Sequence, residues 1–487
     1  MKYRNRFTME RIGHFRWLTS WLAVLSALFS LSLSTEIEPR ASWPNGPLVT
    51  SGRWITDANG AKVTYVGVNW PGSLETMIPE GLQYQSIEVL VSKIKSLGMN
   101  VIRLTYATEM IDQYYDNDEK DVTIQQAFVD ALGQEDGMAV YEKVVSNNPS
   151  FGAETTRLQV FDAIAAECAK QEIYMHLDNH ISKAGWCCSP IDGNSWWNDV
   201  YFNVDNWERG LSFMAEHGKS WPNLMSMSLR NELRISLNDT QVASSYNWED
   251  WYKYVQQGAD AIHAANPDVL IFLSGLDSDK NLTAVVQGAA LQPGTAMFNR
   301  DDFAGYGDNK LVLELHVYDN ILGTPSSDCS EITDRLFNAG FETLTNSATN
   351  QFPLVVTEFG FPQNESTATN SYASCLLDYF PSQHAGWMIW ALAGSYYIRE
   401  GTQDQDEEWG LLSHDGSSWR SPDFVNRLLS PAVNASMAPI TDDDDSSSGN
   451  GSDDDTSSAL GFSQRQPGVL LTLGVLGGVA FASYSWQ

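Results

Sequence analysis

Two glutamates in this chain each follow a short apolar run. Glu232 closes Leu229-Arg230-Asn231-Glu232 after Leu224–Leu229, and Glu358 lies in Val356-Thr357-Glu358-Phe359-Gly360 after Pro353–Val356. Short apolar runs of this kind read as buried strands, so each glutamate is expected at a strand's carboxyl end. Two carboxyls at one site are what cleavage of a glycosidic bond requires. One must carry a proton to release the leaving group, and the other must be ionised to attack the sugar or activate water. Singly, either motif also fits a glutamate that caps a helix or pairs with an arginine, so the reading depends on what converges with them.

The elements that would position them recur along the chain. Strand-like runs fall at Val63–Val68, Asn100–Leu104, Ile173–Leu177, Leu224–Leu229, Val269–Leu273, Leu311–Leu315, Pro353–Val356 and Gly386–Trp390. Most are nearly continuous in apolar residues, as parallel strands covered on both faces must be. Between them, Gln85–Leu97, Thr155–Lys170 and Trp248–Ala265 place apolar residues at helical spacing. Eight such runs predict an α/β fold, a (β/α)8 TIM barrel, as one catalytic domain over residues 43–430. An open doubly wound sheet would also alternate. There, however, polar residues gather at one switch point, whereas Arg103, Asn179, His180, Asn231, Glu232, His316, Glu358 and Trp390 lie at the ends of different runs. Tyr106–Ser150, rich in Asp, Gln and Asn, is expected as rim loops.

In this order the residues resemble glycoside hydrolase family 5, a retaining family of barrel-fold glycosidases. The resemblance covers the whole barrel region. Its carriers are Gly67-Val68-Asn69, Arg103, Asp178-Asn179-His180, Asn231-Glu232, His316-Val317-Tyr318, Thr357-Glu358-Phe359-Gly360 and Trp390. The stretch from Asp178 through Trp186-Cys187-Cys188-Ser189 to Asp192-Gly193-Asn194 looks like the eukaryotic, cellulase-like branch. The resemblance implies Glu232 as general acid/base, with a raised pKa, and Glu358 as an ionised nucleophile served by Arg103 and Tyr318. It places Asn231 on the sugar 2-hydroxyl, His180 and His316 along the cleaved-sugar site and Trp390 as its apolar floor. Leu233 stands where many cellulases of the family carry proline. Trp70, Trp186, Trp196, Trp197 and Trp409 are candidate sugar platforms further out.

The expected reaction is hydrolysis of β-glycosidic bonds in polysaccharide by an endo-β-1,4-glucanase. A β-mannanase, a β-1,3- or β-1,6-glucanase or a β-glucosidase would use the same machinery. A barrel that binds glycan without cleaving it belongs to another class; such proteins usually lack one of the glutamates, and both are present here. No metal or cofactor is implied, because the carboxyl pair suffices.

Composition bounds the partners. Net charge is −32 over 487 residues, which repels the phosphates of nucleic acid. The five cysteines, Cys168, Cys187, Cys188, Cys329 and Cys375, contain no CxxC, which argues against a zinc site. Cys329 with Cys375 is the preferred bridge, since both flank one region. Residues 1–34 carry five basic residues before an apolar stretch ending near Ser32 and Ser34, the pattern of a signal peptide, with an uncleaved signal anchor as the alternative. Residues 431–466 form an acidic Ser/Asp-rich linker with nothing to bury.

The apolar tail 467–487 then fits a GPI-anchor signal, with Ser457-Ser458-Ala459 or Asn450-Gly451-Ser452 as attachment site. A tail-anchored helix is the competing reading, but no basic flank follows the tail. Sequons at Asn238, Asn281, Asn364, Asn434 and Asn450 fit an exported chain. The expected location is extracellular, at the cell surface.

Overall fold

The computed structural model describes residues 43–318 and 327–440. The expected leader and hydrophobic tail, the acidic part of the linker, Asn450 and the attachment sites lie outside these residues. Eight parallel strands close into a barrel. They are β1 (Val66–Trp70), β2 (Val101–Ala107), β3 (Tyr174–Ile181) and β4 (Leu224–Ser228), followed by β5 (Leu270–Leu273), β6 (Leu311–Val317), β7 (Leu354–Phe359) and β8 (Gly386–Ile389). The last pairs with the first through Trp387 opposite Val66 and Ile389 opposite Val68, so the sheet has no free edge. The strands expected from sequence are all present, shifted by a few residues at their ends.

The covering helices follow from local sequence. Ile87–Ser96 starts where the Ser86 side chain caps the Val89 amide, and it buries Ile87, Leu90, Val91 and Ile94. Arg157–Lys170 opens on a capping box between Thr156 and Gln159. Trp248–Ala265 matches its expected span. Tyr106–Ser150 differs from expectation: Thr108–Asp116, Ile124–Leu132 and Gln134–Asn147 are helices. Most of their charged residues are exposed or half-buried, while Ile124, Phe128, Leu132 and Val144 are buried. Composition registered the polar face and missed the apolar stripe. The folded body also runs past residue 430, through the helix Ser430–Ser436 with Ala432 and Val433 buried.

The barrel interior is layered. At its amino-terminal end Leu48, Tyr65, Val101, Tyr174, Leu270, Phe272, Val312, Val355 and Met388 form an apolar plug. One pleat higher the same strands turn polar. Arg103, His176, Ser226, Ser228 and Glu314 are all fully buried, and Ser226 and Ser228 each lie 2.8 Å from one His176 ring nitrogen. Burial and the nearby Arg103 charge lower the His176 pKa to about 3, so its imidazole is neutral. Ser228 also donates to Glu314 at 2.7 Å. Period-two alternation carries the polarity upward, from His176 to Asp178 and His180 on β3 and from Glu314 to His316 on β6 and Tyr318 just past its end.

Candidate active site

At the carboxyl-terminal mouth these residues meet. Arg103, from β2, is fully buried and holds four side chains at once. Its Nη1 donates to Glu358 Oε1 at 2.5 Å and to Asn69 Oδ1 at 2.8 Å. Its Nη2 donates to Asn231 Oδ1 at 2.8 Å and lies 3.0 Å from Asp178 Oδ2. Burial disfavours the guanidinium charge, but Asp178 and Glu358 outweigh it and hold Arg103 cationic. In return, burial raises the Asp178 carboxyl, but the Arg103 charge together with the His180 hydrogen bond and the His180 and His176 charges outweighs it, leaving its pKa at about 2.

Glu358 reaches the mouth through an irregularity in β7. Pairing with β6 shifts register between Leu315 and His316, so that His316 faces Glu358 and Thr357 is the extra residue. Both Val355, in the plug, and Glu358 can therefore point inward. Glu358 Oε2 accepts from the Tyr318 hydroxyl at 2.8 Å. Burial and the adjacent Glu358 and Glu232 charges push the Tyr318 pKa far up, keeping it a donor. Gly360 matters by its lack of a side chain, since a Cβ there would sit 2.7 Å from the Trp390 carbonyl oxygen and 3.1 Å from the Trp409 ring.

Glu232 follows β4 with φ 47°, a left-handed conformation that non-glycine residues keep only where surroundings impose it. Its Oε1 lies 3.0 Å from His316 Nδ1, and that ring nitrogen is 3.6 Å from Glu358 Oε2. The raised pKa expected for Glu232 is not what this geometry gives. Burial raises it, but the His316 hydrogen bond and charge, joined by the Arg234 and His180 charges, outweigh burial, and the net direction is down. Burial lowers His316, yet Glu358, Glu232 and Asp279 together push it up to about 9. Both directions favour the charged partners, a Glu232 carboxylate against a His316 imidazolium. Sequence could not show this, because it does not reveal which base stands within hydrogen-bonding reach.

The remaining predicted residues divide. His180 Nδ1 is 2.7 Å from Asp178 Oδ2, and its ring stacks on Trp390 with centroids 5.6 Å apart. Asn231 turns its Nδ2 toward Cys187 and Cys188 Sγ, at 3.6 and 3.4 Å. Arg103, His180, Asn231, Glu232, His316, Tyr318, Glu358 and Trp390 thus form one cluster. Trp186 meets Trp390 edge-on at 6.3 Å, and Trp409 lies 5.7 Å from Tyr318; both are partly exposed.

Trp70, Trp196 and Trp197 are fully buried and cannot serve as sugar platforms. The Trp70 indole donates to the Glu80 carbonyl oxygen, and Trp196 and Trp197 pack on each other. Asp279 and Glu314 were not anticipated. Glu314 was legible as a polar residue at alternate spacing on β6, whereas Asp279 sits in a turn with no such signal.

Cys329 and Cys375 are paired, as expected, and Cys187 pairs with its neighbour Cys188. Cys168 is a buried thiol. Glu232, His316 and Glu358 place one ligand-type atom each within 4.8 Å of the others. That spacing would also suit a cation, but each group already has a partner: Glu232 and His316 bond each other, and Arg103 and Tyr318 hold Glu358.

The closed parallel barrel, with carboxyls converging at its carboxyl-terminal mouth, defines a barrel glycosidase. Residues 56–395 match the family described as Cellulase (glycosyl hydrolase family 5). A glycosyl hydrolase 5 family protein of Chamaecyparis obtusa is 35% identical over 424 residues, covering 85% of this chain and 68% of that one. An endoglucanase of Paenibacillus polymyxa is 24% identical over 435 residues, covering 85% and 95%. The hyperthermophilic endocellulase of Pyrococcus horikoshii shares the fold at a TM-score of 0.59 and 19% identity, over 80% of this chain and 99% of that one. The chain belongs to glycosyl hydrolase family 5 and is a glycoside hydrolase.

Proposed function

We propose that this enzyme is a retaining endo-β-1,4-glucanase, with Glu358 as nucleophile and Glu232 as general acid/base. The observation that carries the reading is the approach of the carboxyls: one Glu232 oxygen and one Glu358 oxygen lie within 4.8 Å. Retaining enzymes hold their carboxyl groups about 5–5.5 Å apart, whereas inverting enzymes leave about 6.5–9.5 Å for a water.

Glu358 attacks the anomeric carbon while Arg103 and Tyr318 fix its two oxygens on the attack line. Glu232 delivers the proton it shares with His316 to the leaving oxygen. Once the glycosyl ester forms, the Glu358 charge that helped hold the proton on His316 is gone, which leaves Glu232 free to take a proton from water in the second step. Asn231, oriented by Arg103, offers its amide to the 2-hydroxyl, and the His180–Trp390 stack forms the floor.

Glucan as substrate is supported by the endoglucanase name of the Paenibacillus relative and by partly exposed Trp186 and Trp409 beside the cluster. Export and surface anchoring are supported by the basic-then-apolar start and the acidic linker before an apolar tail. Glu358→Gln is expected to abolish hydrolysis of every substrate; activity near wild type would overturn the assignment. Purified enzyme assayed against β-1,4-, β-1,3- and β-1,6-glucans, β-mannan and aryl glucosides decides the sugar, and preference for mannan would replace the glucanase reading.

A further inference from the structure

The acid/base glutamate is held from below by a turn that the expected family residues do not include. After β5 the chain runs through Asp277, Ser278 and Asp279, at φ 64°, 55° and 59°. Three successive non-glycine residues in the left-handed region mark a turn that its surroundings over-determine. Gly275 begins it, where any Cβ would collide with the Asn281 carbonyl oxygen. The Asp277 amide donates to the Tyr246 hydroxyl at 2.6 Å.

Two bonds then tie the turn to the catalytic loop. The Ser278 amide donates to the Leu233 carbonyl at 2.9 Å. Asp279 Oδ2 accepts the Glu232 amide at 2.7 Å. Asp279 is fully buried, and the same Oδ2 lies 3.7 Å from His316 Nε2, behind the ring whose other nitrogen contacts Glu232. Asp279 Oδ1 and His316 Nε2 have no hydrogen-bond partner among the described residues. A buried carboxyl aimed at one amide and one imidazole must owe its place to them.

We propose that Asp279 is a positioning residue for acid catalysis: it fixes the left-handed backbone of Glu232 and backs His316, so that the Glu232 carboxyl meets the leaving oxygen. The inference rests on the acid/base role proposed above for Glu232. Asp279 itself touches no substrate. Its loss moves the acid and leaves the Arg103–Tyr318–Glu358 nucleophile assembly in place.

Leaving-group chemistry separates this role from a structural one. A dinitrophenolate departs without protonation, whereas a phenolate or alkoxide needs the acid. Because kcat/KM reports bond cleavage up to the first irreversible step, Asp279→Ala is expected to lower it about 10²-fold for phenyl β-cellobioside. For 2,4-dinitrophenyl β-cellobioside it stays within about threefold, the scale of a remote change. Asp279→Asn keeps an acceptor oxygen for the Glu232 amide and recovers most of the loss.

Glu232→Ala, run in parallel, shows the same dependence more strongly, and azide restores its turnover by displacing Glu358 from the glycosyl ester to give a glycosyl azide. Equal losses on both leaving groups for Asp279→Ala, or no loss, would overturn the proposal while Glu232→Ala still behaves as an acid/base variant. If Glu232→Ala lacks the dependence, the underlying assignment fails instead. Should the alanine variant not fold, Asp279→Glu, which displaces the carboxyl by one methylene, must show the same selective loss.

Discussion

Replacing Arg103 by lysine keeps the charge and removes the fork, and the structure says what that costs. The guanidinium serves Glu358 and Asn69 from Nη1 and Asn231 and Asp178 from Nη2. An ammonium is a single point and occupies one of those positions. At the Nη1 position it leaves the fully buried Asp178 without its cation and Asn231 Oδ1 without its donor. Both lost bonds run from the charged guanidinium and contribute about 1.5–3 kcal/mol each, so roughly 3–6 kcal/mol is lost. Where that loss falls on the transition state, kcat/KM drops about 10²- to 10⁴-fold at ~1.4 kcal/mol per tenfold.

The assay is steady-state hydrolysis of an aryl β-cellobioside, with urea denaturation of the same variant to apportion the loss between stability and catalysis. Arg103→Lys combined with Asn231→Ala tests the wiring, because the second substitution costs less once Nη2 is gone. An Arg103→Lys enzyme within about threefold of wild type in kcat/KM, with an unchanged denaturation midpoint, would refute the idea that one guanidinium organises the site.

Tyr318→Phe removes one of the two donors to Glu358, and kcat is expected to fall about 10- to 10²-fold with little change in KM, read by steady-state kinetics. The pKa of His316 is raised in the fold from 6.5 to about 9. Its contribution to stability is therefore complete below about pH 6.5 and lost as pH rises through about 9. Chemical denaturation across that window should show a decline of roughly 2–3 kcal/mol that His316→Gln flattens. Trp70→Ala should cost about 3–5 kcal/mol of stability, as a buried aromatic does, whereas Trp186→Ala should leave the unfolding midpoint near wild type and raise KM. Removing the Cys329–Cys375 bridge, with a sequence separation of 46, should lower stability by about 4 kcal/mol on chain-entropy grounds, measured by denaturant titration.

Sequence by itself determined the barrel, because a strand covered on both faces must be apolar almost throughout, and eight such runs separated by helical periodicity leave few topologies. It also located Glu232 and Glu358, since each stands at the abrupt end of such a run. Asp178 was read within Asp178-Asn179-His180, and Glu314 was legible in principle from polar residues at every second position of β6. Trp70, Trp196 and Trp197 were misread, because an indole buried against its neighbours and an indole open to sugar are the same letter.

Other features were decided only by the tertiary structure. The bulge in β7 turns Glu358 inward, and a distant turn places Asp279 under the Glu232 amide. His316 lies between three carboxyls, which moves the resting proton from glutamate to imidazole. Such properties depend on distances between groups far apart in the chain. Local spacing fixes which face a residue takes; only closure of the barrel brings a charge from β6 within hydrogen-bonding reach of one from β4.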